Sequence, residues 1–80
     1  MGGMARDKYR HIDIYKKIGR NIKKQRKTLG ISQEELAFRL HSARNYVGCV
    51  ERGEKLPSLS FLLDTAEVLG CDIKFLFDFE

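Results

Sequence analysis

Cysteine occurs twice, histidine twice and proline once in these 80 residues, and each scarcity removes a class of function. Cys49, Cys71, His11 and His41 form neither a CxxC nor an HxxxH spacing, so no metal site is expected. Neither histidine stands beside a plausible nucleophile, and Cys49 has no recognisable general base in its motif, which argues against an enzyme. There is no secretory signal and no apolar run approaching about 18 residues, so the expectation is a reduced, cytoplasmic protein without a membrane span or a structural disulfide. Internal repeats, low-complexity tracts and strand signals of any consequence are also lacking. The opening MGG reads equally as native sequence or as an expression remnant and is set aside.

What is present fits one small folded domain. A chain of 80 residues buries about 60–65% of its unfolded surface and cannot divide its core in two. Hydrophobic residues at 42% and charged residues at 32% argue against wholesale disorder. The net charge of +4 conceals a gradient. Residues 1–31 carry ten Lys/Arg against two Asp, residues 32–55 carry four of each sign, and residues 56–80 carry one Lys against five acids. A basic end of this kind suits a polyanion, although the run Lys23, Lys24, Arg26 and Lys27 reads equally as a solvated helix face.

The apolar periodicity is helical throughout. From Asp13 to Thr28 a first helix buries Ile14, Ile18 and Ile22, continues to Leu29 and closes at Gly30. Ser32 opens a second, SQEELAFRL, with Glu35 three residues on, a capping box in which each side chain satisfies a free amide. Leu36, Ala37 and Leu40 form its buried stripe. After His41 and Ser42 the pattern resumes at Tyr46, Val47 and Val50, so two short helices joined by a tight turn are predicted. Glu51 to Pro57 is a loop containing Gly53. Ser58 caps a fourth helix with a stripe of Leu59, Leu62, Leu63, Ala66 and Leu69 that ends at Gly70, and Asp72 caps a last short helix, IKFLF. The predicted fold is all-α, a compact bundle of about five short helices. Residues 1–12 are expected to be a flexible N-terminal segment and 13–80 the domain, with residues from about 70 to 80 as its interaction segment.

The stretch GISQEELAFRLHSARNYVGCVERGEKLPSLSFLLDTAEVLG resembles the DNA-binding domain of the Cro and phage-repressor type (XRE-like) of helix-turn-helix proteins, with a lambda-repressor-like fold. The resemblance runs from about Ile18 to Phe77. It rests on a spaced set: Ile22 and Arg26, SQEELA, Val47 with Val50, Glu51 and Gly53, then Pro57-Ser58-Leu59 and the leucines leading to Gly70. It implies a recognition helix over about 43–52 that enters the major groove of double-stranded DNA. The side facing away from the two valines carries Arg44, Asn45, Gly48 and Cys49, which are the candidate base contacts, since Arg reads guanine and Asn adenine. Gly48 costs about 1 kcal/mol of helix propensity. Either it lets the backbone approach a base or phosphate, with Cys49 against a thymine methyl, or packing of Val47 and Val50 makes the helix tolerate both. Gln33, Ser42, Arg52 and Lys55 are the candidate phosphate contacts, while Ala43 stands where many relatives place Ser or Thr. Matched positions in relatives pair Arg26 with Glu51 structurally.

Relatives also dimerise through the C-terminal region. Phe75, Leu76, Phe77 and Phe79 are more apolar surface than a short terminal helix buries by itself, and such a patch marks an interface; for Phe75, simple core packing is the alternative. The resemblance therefore implies a homodimeric transcriptional regulator, repressor or activator, on a palindromic operator, a role for which no cofactor is expected. RNYVG followed by VERGE is similar to the controller proteins of restriction–modification systems. A different class with the same features is an antitoxin-like module that binds a protein partner and autoregulates its operon; RNA polymerase is the other candidate protein partner.

Overall fold

Five α-helices make up the regular structure of residues 10–79, the part of the chain described by the computed structural model. Most of the segment expected to be flexible, and Glu80, lie outside the described residues. The first helix, α1, spans Ile12–Leu29 and turns Ile18, Gly19, Ile22 and Arg26 inward. It starts one residue earlier than the periodicity predicts and ends as predicted at Gly30, whose φ of 79° admits the left-handed closing turn.

Helix α2, Gln33–Arg39, starts at Ser32, whose Oγ accepts the Glu35 N–H at 3.0 Å. The reciprocal half of the predicted capping box is not formed. The Glu35 carboxylate instead accepts from Arg39 Nε at 2.8 Å, one turn along, because a charge-assisted bond between residues four apart competes with a bond to a backbone amide. The turn out of α2 places His41 at φ 55°, the non-glycine residue with positive φ among those described. Ser42 N–H reaches the Ala37 carbonyl at 2.8 Å and His41 N–H the Phe38 carbonyl at 3.2 Å, so the last carbonyls of α2 are satisfied in the pattern a glycine usually supports.

Helix α3, Arg44–Glu51, has Ala43 at its N-cap with no side-chain cap bond. Helix α4, Leu59–Leu69, is capped by Ser58 Oγ, which accepts the Phe61 N–H at 3.1 Å. Its inner face is Leu62, Thr65, Ala66 and Leu69. Leu59 and Leu63, read from sequence as part of the buried stripe, are 62% and 48% exposed. They stand one turn apart on a neighbouring face of the helix, and the core takes up only the stripe that meets α1. Thr65 is fully buried, its hydroxyl donating to the Phe61 carbonyl at 2.7 Å.

Helix α5, Ile73–Leu76, is capped by Asp72. It returns the chain to α1, where Asn21 Nδ2 donates to the carbonyls of Leu76, at 3.0 Å, and Asp78, at 2.8 Å. Lys17 Nζ lies 5.9 Å from the centre of the Phe79 ring. All five helices contribute to one core, with Ile18 and Ile22, Leu36 and Ala37, Val47 and Val50, Leu62, Ala66 and Leu69, and Leu76 buried in it.

Candidate nucleic-acid interface

The site is built on α3, and its inner side is fixed in three ways. Val47 and Val50 enter the core. Gly19 of α1 lets the two backbones touch: a Cβ there would lie 2.7 Å from the Glu51 carbonyl carbon and closer still to the carbonyl oxygens of Val50 and Glu51. The third tie is a buried ion pair, with Arg26 Nε donating to Glu51 Oε2 at 2.7 Å and Arg26 Nη2 to Glu51 Oε1 at 3.1 Å. Arg26 Nη1 also donates to the Ile31 carbonyl at 2.9 Å, and Gln33 Nε2 to Glu51 Oε1 at 2.9 Å. One carboxylate thus joins the end of α1, the start of α2 and the end of α3. A pair this buried costs much desolvation, and what recovers it is the full set of hydrogen bonds.

The outer side is different. Arg44 and Asn45 are exposed at the first turn of α3 and Lys55 is exposed beyond it; none of the three makes an ion pair or side-chain hydrogen bond among the described residues. Tyr46 is half-buried, its ring meeting Phe61 edge to face at 5.1 Å. Ser42 and Cys49 are half-buried. Gly48, expected to face solvent, is buried. The cause is the folding back of Arg52, whose Nη1 lies 3.1 Å from where a Gly48 Cβ would stand, with Gln33 Oε1 at 3.7 Å from the same point. The glycine makes room for the Arg52 guanidinium, while Gln33 lies at ordinary contact distance from the same point. Gln33, a candidate phosphate contact, is half-buried and already donates to Glu51.

Arg52 makes a bidentate contact with Glu54: Nε to Oε2 at 2.9 Å and Nη2 to Oε1 at 3.2 Å. The hydrogen bond from Arg52 holds the Glu54 carboxyl below the usual carboxylate range, and Glu54 raises Arg52 in return. Glu54 was missed by sequence reasoning, although ERGE places the two charges two residues apart. Gly19 was missed as well, since nothing local distinguishes a crossing point from an ordinary helical glycine.

The C-terminal aromatics divide. Leu76, expected in an interface, is completely buried, because the return of α5 onto α1 directs it into the core. Phe75 is half-buried against that core. Phe77 and Phe79 remain 40% and 36% exposed and meet edge to face at 6.3 Å. Beside them, Cys71, Asp72, Lys74, Phe75 and Asp78 line an open groove, where burial pushes the Cys71 thiol up. Among the described residues no cluster of His, Cys, Asp or Glu is arranged to hold a metal ion, and no helix is long and apolar enough to cross a membrane.

Two short helices joined by a tight turn, the second locked from behind and bearing polar residues in front, define a helix-turn-helix unit. The chain belongs to the XRE-type helix-turn-helix family HTH_3, whose model matches residues 22–76. It is 32% identical over 59 residues to the uncharacterized HTH-type transcriptional regulator y4dJ of Sinorhizobium fredii, covering 74% of this chain and 77% of that one. It is 41% identical over 52 residues to the uncharacterized HTH-type transcriptional regulator YazB of Bacillus subtilis, covering 65% and 75%. Among solved structures it is similar to the restriction-modification controller protein C.AhdI from Aeromonas hydrophila, with a TM-score of 0.80, 39% identity, and coverage of 84% of this chain and 97% of that one.

Proposed function

We propose that the protein is a sequence-specific double-stranded DNA-binding transcriptional regulator, acting as a homodimer on a palindromic operator. The observation that carries this reading is the asymmetry of α3. Its inner side is anchored by the core, by Gly19 and by the Arg26–Glu51 pair, while Arg44 and Asn45 stand exposed at its first turn. An arginine and an asparagine there, on a helix with little freedom to shift, suit base edges in the major groove. Cys49 is the apolar neighbour suited to a thymine methyl. Arg52, Lys55, Gln33 and Ser42 border the same surface and are the phosphate contacts, which fix register without reading sequence. Gly48 acts indirectly, by making room for Arg52.

The exposed Phe77 and Phe79, with Leu59 and Leu63 on α4, supply apolar surface for a partner copy, which would set two α3 helices about 34 Å apart, one turn of DNA. The likeness to a restriction-modification controller over nearly the whole of that chain favours a controller role. Selection of bound sequences from a random duplex library tests the proposal. A palindrome of two half-sites is the expected result, and a library that emerges unenriched would refute it.

A further inference from the structure

Two arginines with carboxylate partners flank this surface, and they differ in one respect. The Arg26–Glu51 pair is buried, with side-chain exposures of 9% and 2%. The Arg52–Glu54 pair is open, at 58% and 55%. The second pair is nevertheless built. Gly53, at φ 76°, is buried against α1 so closely that a Cβ would fall 2.7 Å from Lys16 Cα and 2.9 Å from its nitrogen. The Glu54 N–H closes α3 on the Cys49 carbonyl at 2.9 Å. Backbone packing therefore fixes where Glu54 starts, beside the end of α3. The guanidinium it meets is located from two further sides, by Cys49 Sγ at 3.6 Å from Nη2 and by the space over Gly48.

We infer that Glu54 is a built-in competitor for Arg52, occupying the bidentate edge of the guanidinium that a DNA phosphate would take, and so setting the affinity of the interface. The inference rests on the DNA-binding reading above. A carboxylate and a phosphate present the same pair of oxygens to the arginine fork, so Nε and Nη2 serve one or the other. An exposed pair of this kind contributes little to stability, which makes the exchange accessible in a way that it is not for Arg26. The exchange also leaves an uncompensated Glu54 near the phosphate backbone, a second unfavourable term. Because phosphate contacts carry no base information, the competitor lowers binding to all sequences alike and lets Arg44 and Asn45 decide where the protein rests. Glu54 is thus a positioning residue that acts through Arg52.

The test compares the wild-type chain with Glu54→Gln, Arg52→Gln, the double variant, and Glu67→Gln, which removes an exposed acid from α4 as a control for net charge. Each is titrated by fluorescence anisotropy against a selected duplex and a mixed-sequence duplex over a series of salt concentrations. Glu54→Gln is expected to tighten both duplexes by roughly two- to five-fold, the range an exposed ion pair allows, with a steeper salt dependence as Arg52 engages phosphate fully. In the Arg52→Gln background the same change should gain no more than Glu67→Gln does. Unchanged or weaker binding by Glu54→Gln, or an equal gain without Arg52, would overturn the competitor. Failure of the wild-type chain to bind any duplex would overturn the DNA reading and the competitor together.

Discussion

Replacing Gly19 by alanine sets two physical effects against each other, and the structure decides the sign. Gly19 lies inside an 18-residue helix, where alanine is favoured by about 1 kcal/mol on propensity alone. Its missing Cβ is where α1 meets α3. A methyl there would fall 2.7 Å from the Glu51 carbonyl carbon and against two backbone carbonyl oxygens, where carbon atoms rest at about 3.5 Å. No side chain can rotate away, so the helices must part by roughly 0.8 Å. Overpacking of this kind costs about 1–3 kcal/mol and occasionally more. Displacement of α3 also draws Glu51 away from Arg26, which sits at 2.7 Å, so the upper part of that range applies. The net expectation is a loss of about 1–2 kcal/mol, read as a melting temperature lower by about 4–16 °C for a domain of this size. Thermal melts by circular dichroism measure it directly. A Gly19→Ala chain that melts at or above the wild-type temperature would refute the close approach of α1 and α3, because propensity would then be the whole effect.

The remaining expectations concern the ion pair, the turn, the reading surface and the interface. Glu51→Ala strands the Arg26 guanidinium in the core and leaves Gln33 without its acceptor; a loss of about 3–5 kcal/mol in urea unfolding is expected, most of the stability of so small a domain. His41→Gly relieves a left-handed residue at φ 55° and should stabilise by about 1 kcal/mol, seen as an upward shift in melting temperature. Arg44→Ala should lose about 1–3 kcal/mol on the selected site and relax preference at one base pair, whereas Arg52→Ala should weaken all sequences and reduce the salt slope by less than the value of about 1 that a full phosphate contact carries, because Glu54 holds part of the guanidinium; equal effects of both on selected and random DNA would contradict their assigned roles. Phe77→Asp should give a monomer by analytical ultracentrifugation with helical content retained, and an unchanged mass would remove this aromatic from the interface.

Features set by neighbours in the chain were legible in the sequence. Ser32, Ser58 and Asp72 each accept the amide bond that a helix start requires, and Gly30 and Gly70 close α1 and α4, because a cap is made within three or four residues of itself. The inward turn of Val47 and Val50 follows in the same way from their spacing. What could not be read depends on a second segment. Gly48 is buried only because Arg52 and Gln33 come to lie over it, Leu76 only because α5 folds back on α1, and Leu59 and Leu63 are left outside because, among the described residues, the core takes up only the neighbouring stripe of α4. Glu35 shows the limit even locally: two bonds were open to it, and the choice of Arg39 over the backbone amide is a matter of charge.

Asn21 has a consequence for assembly. Its two bonds hold the carbonyls of Leu76 and Asp78, two residues along α1 from the glycine against which α3 rests. The C-terminal segment and α3 are therefore both referenced to one short stretch of a single helix. If the protein dimerises through that segment as proposed, α1 would serve as the spacer between the interface and α3, and the separation of the two α3 helices would be set by the protein for the half-sites to match.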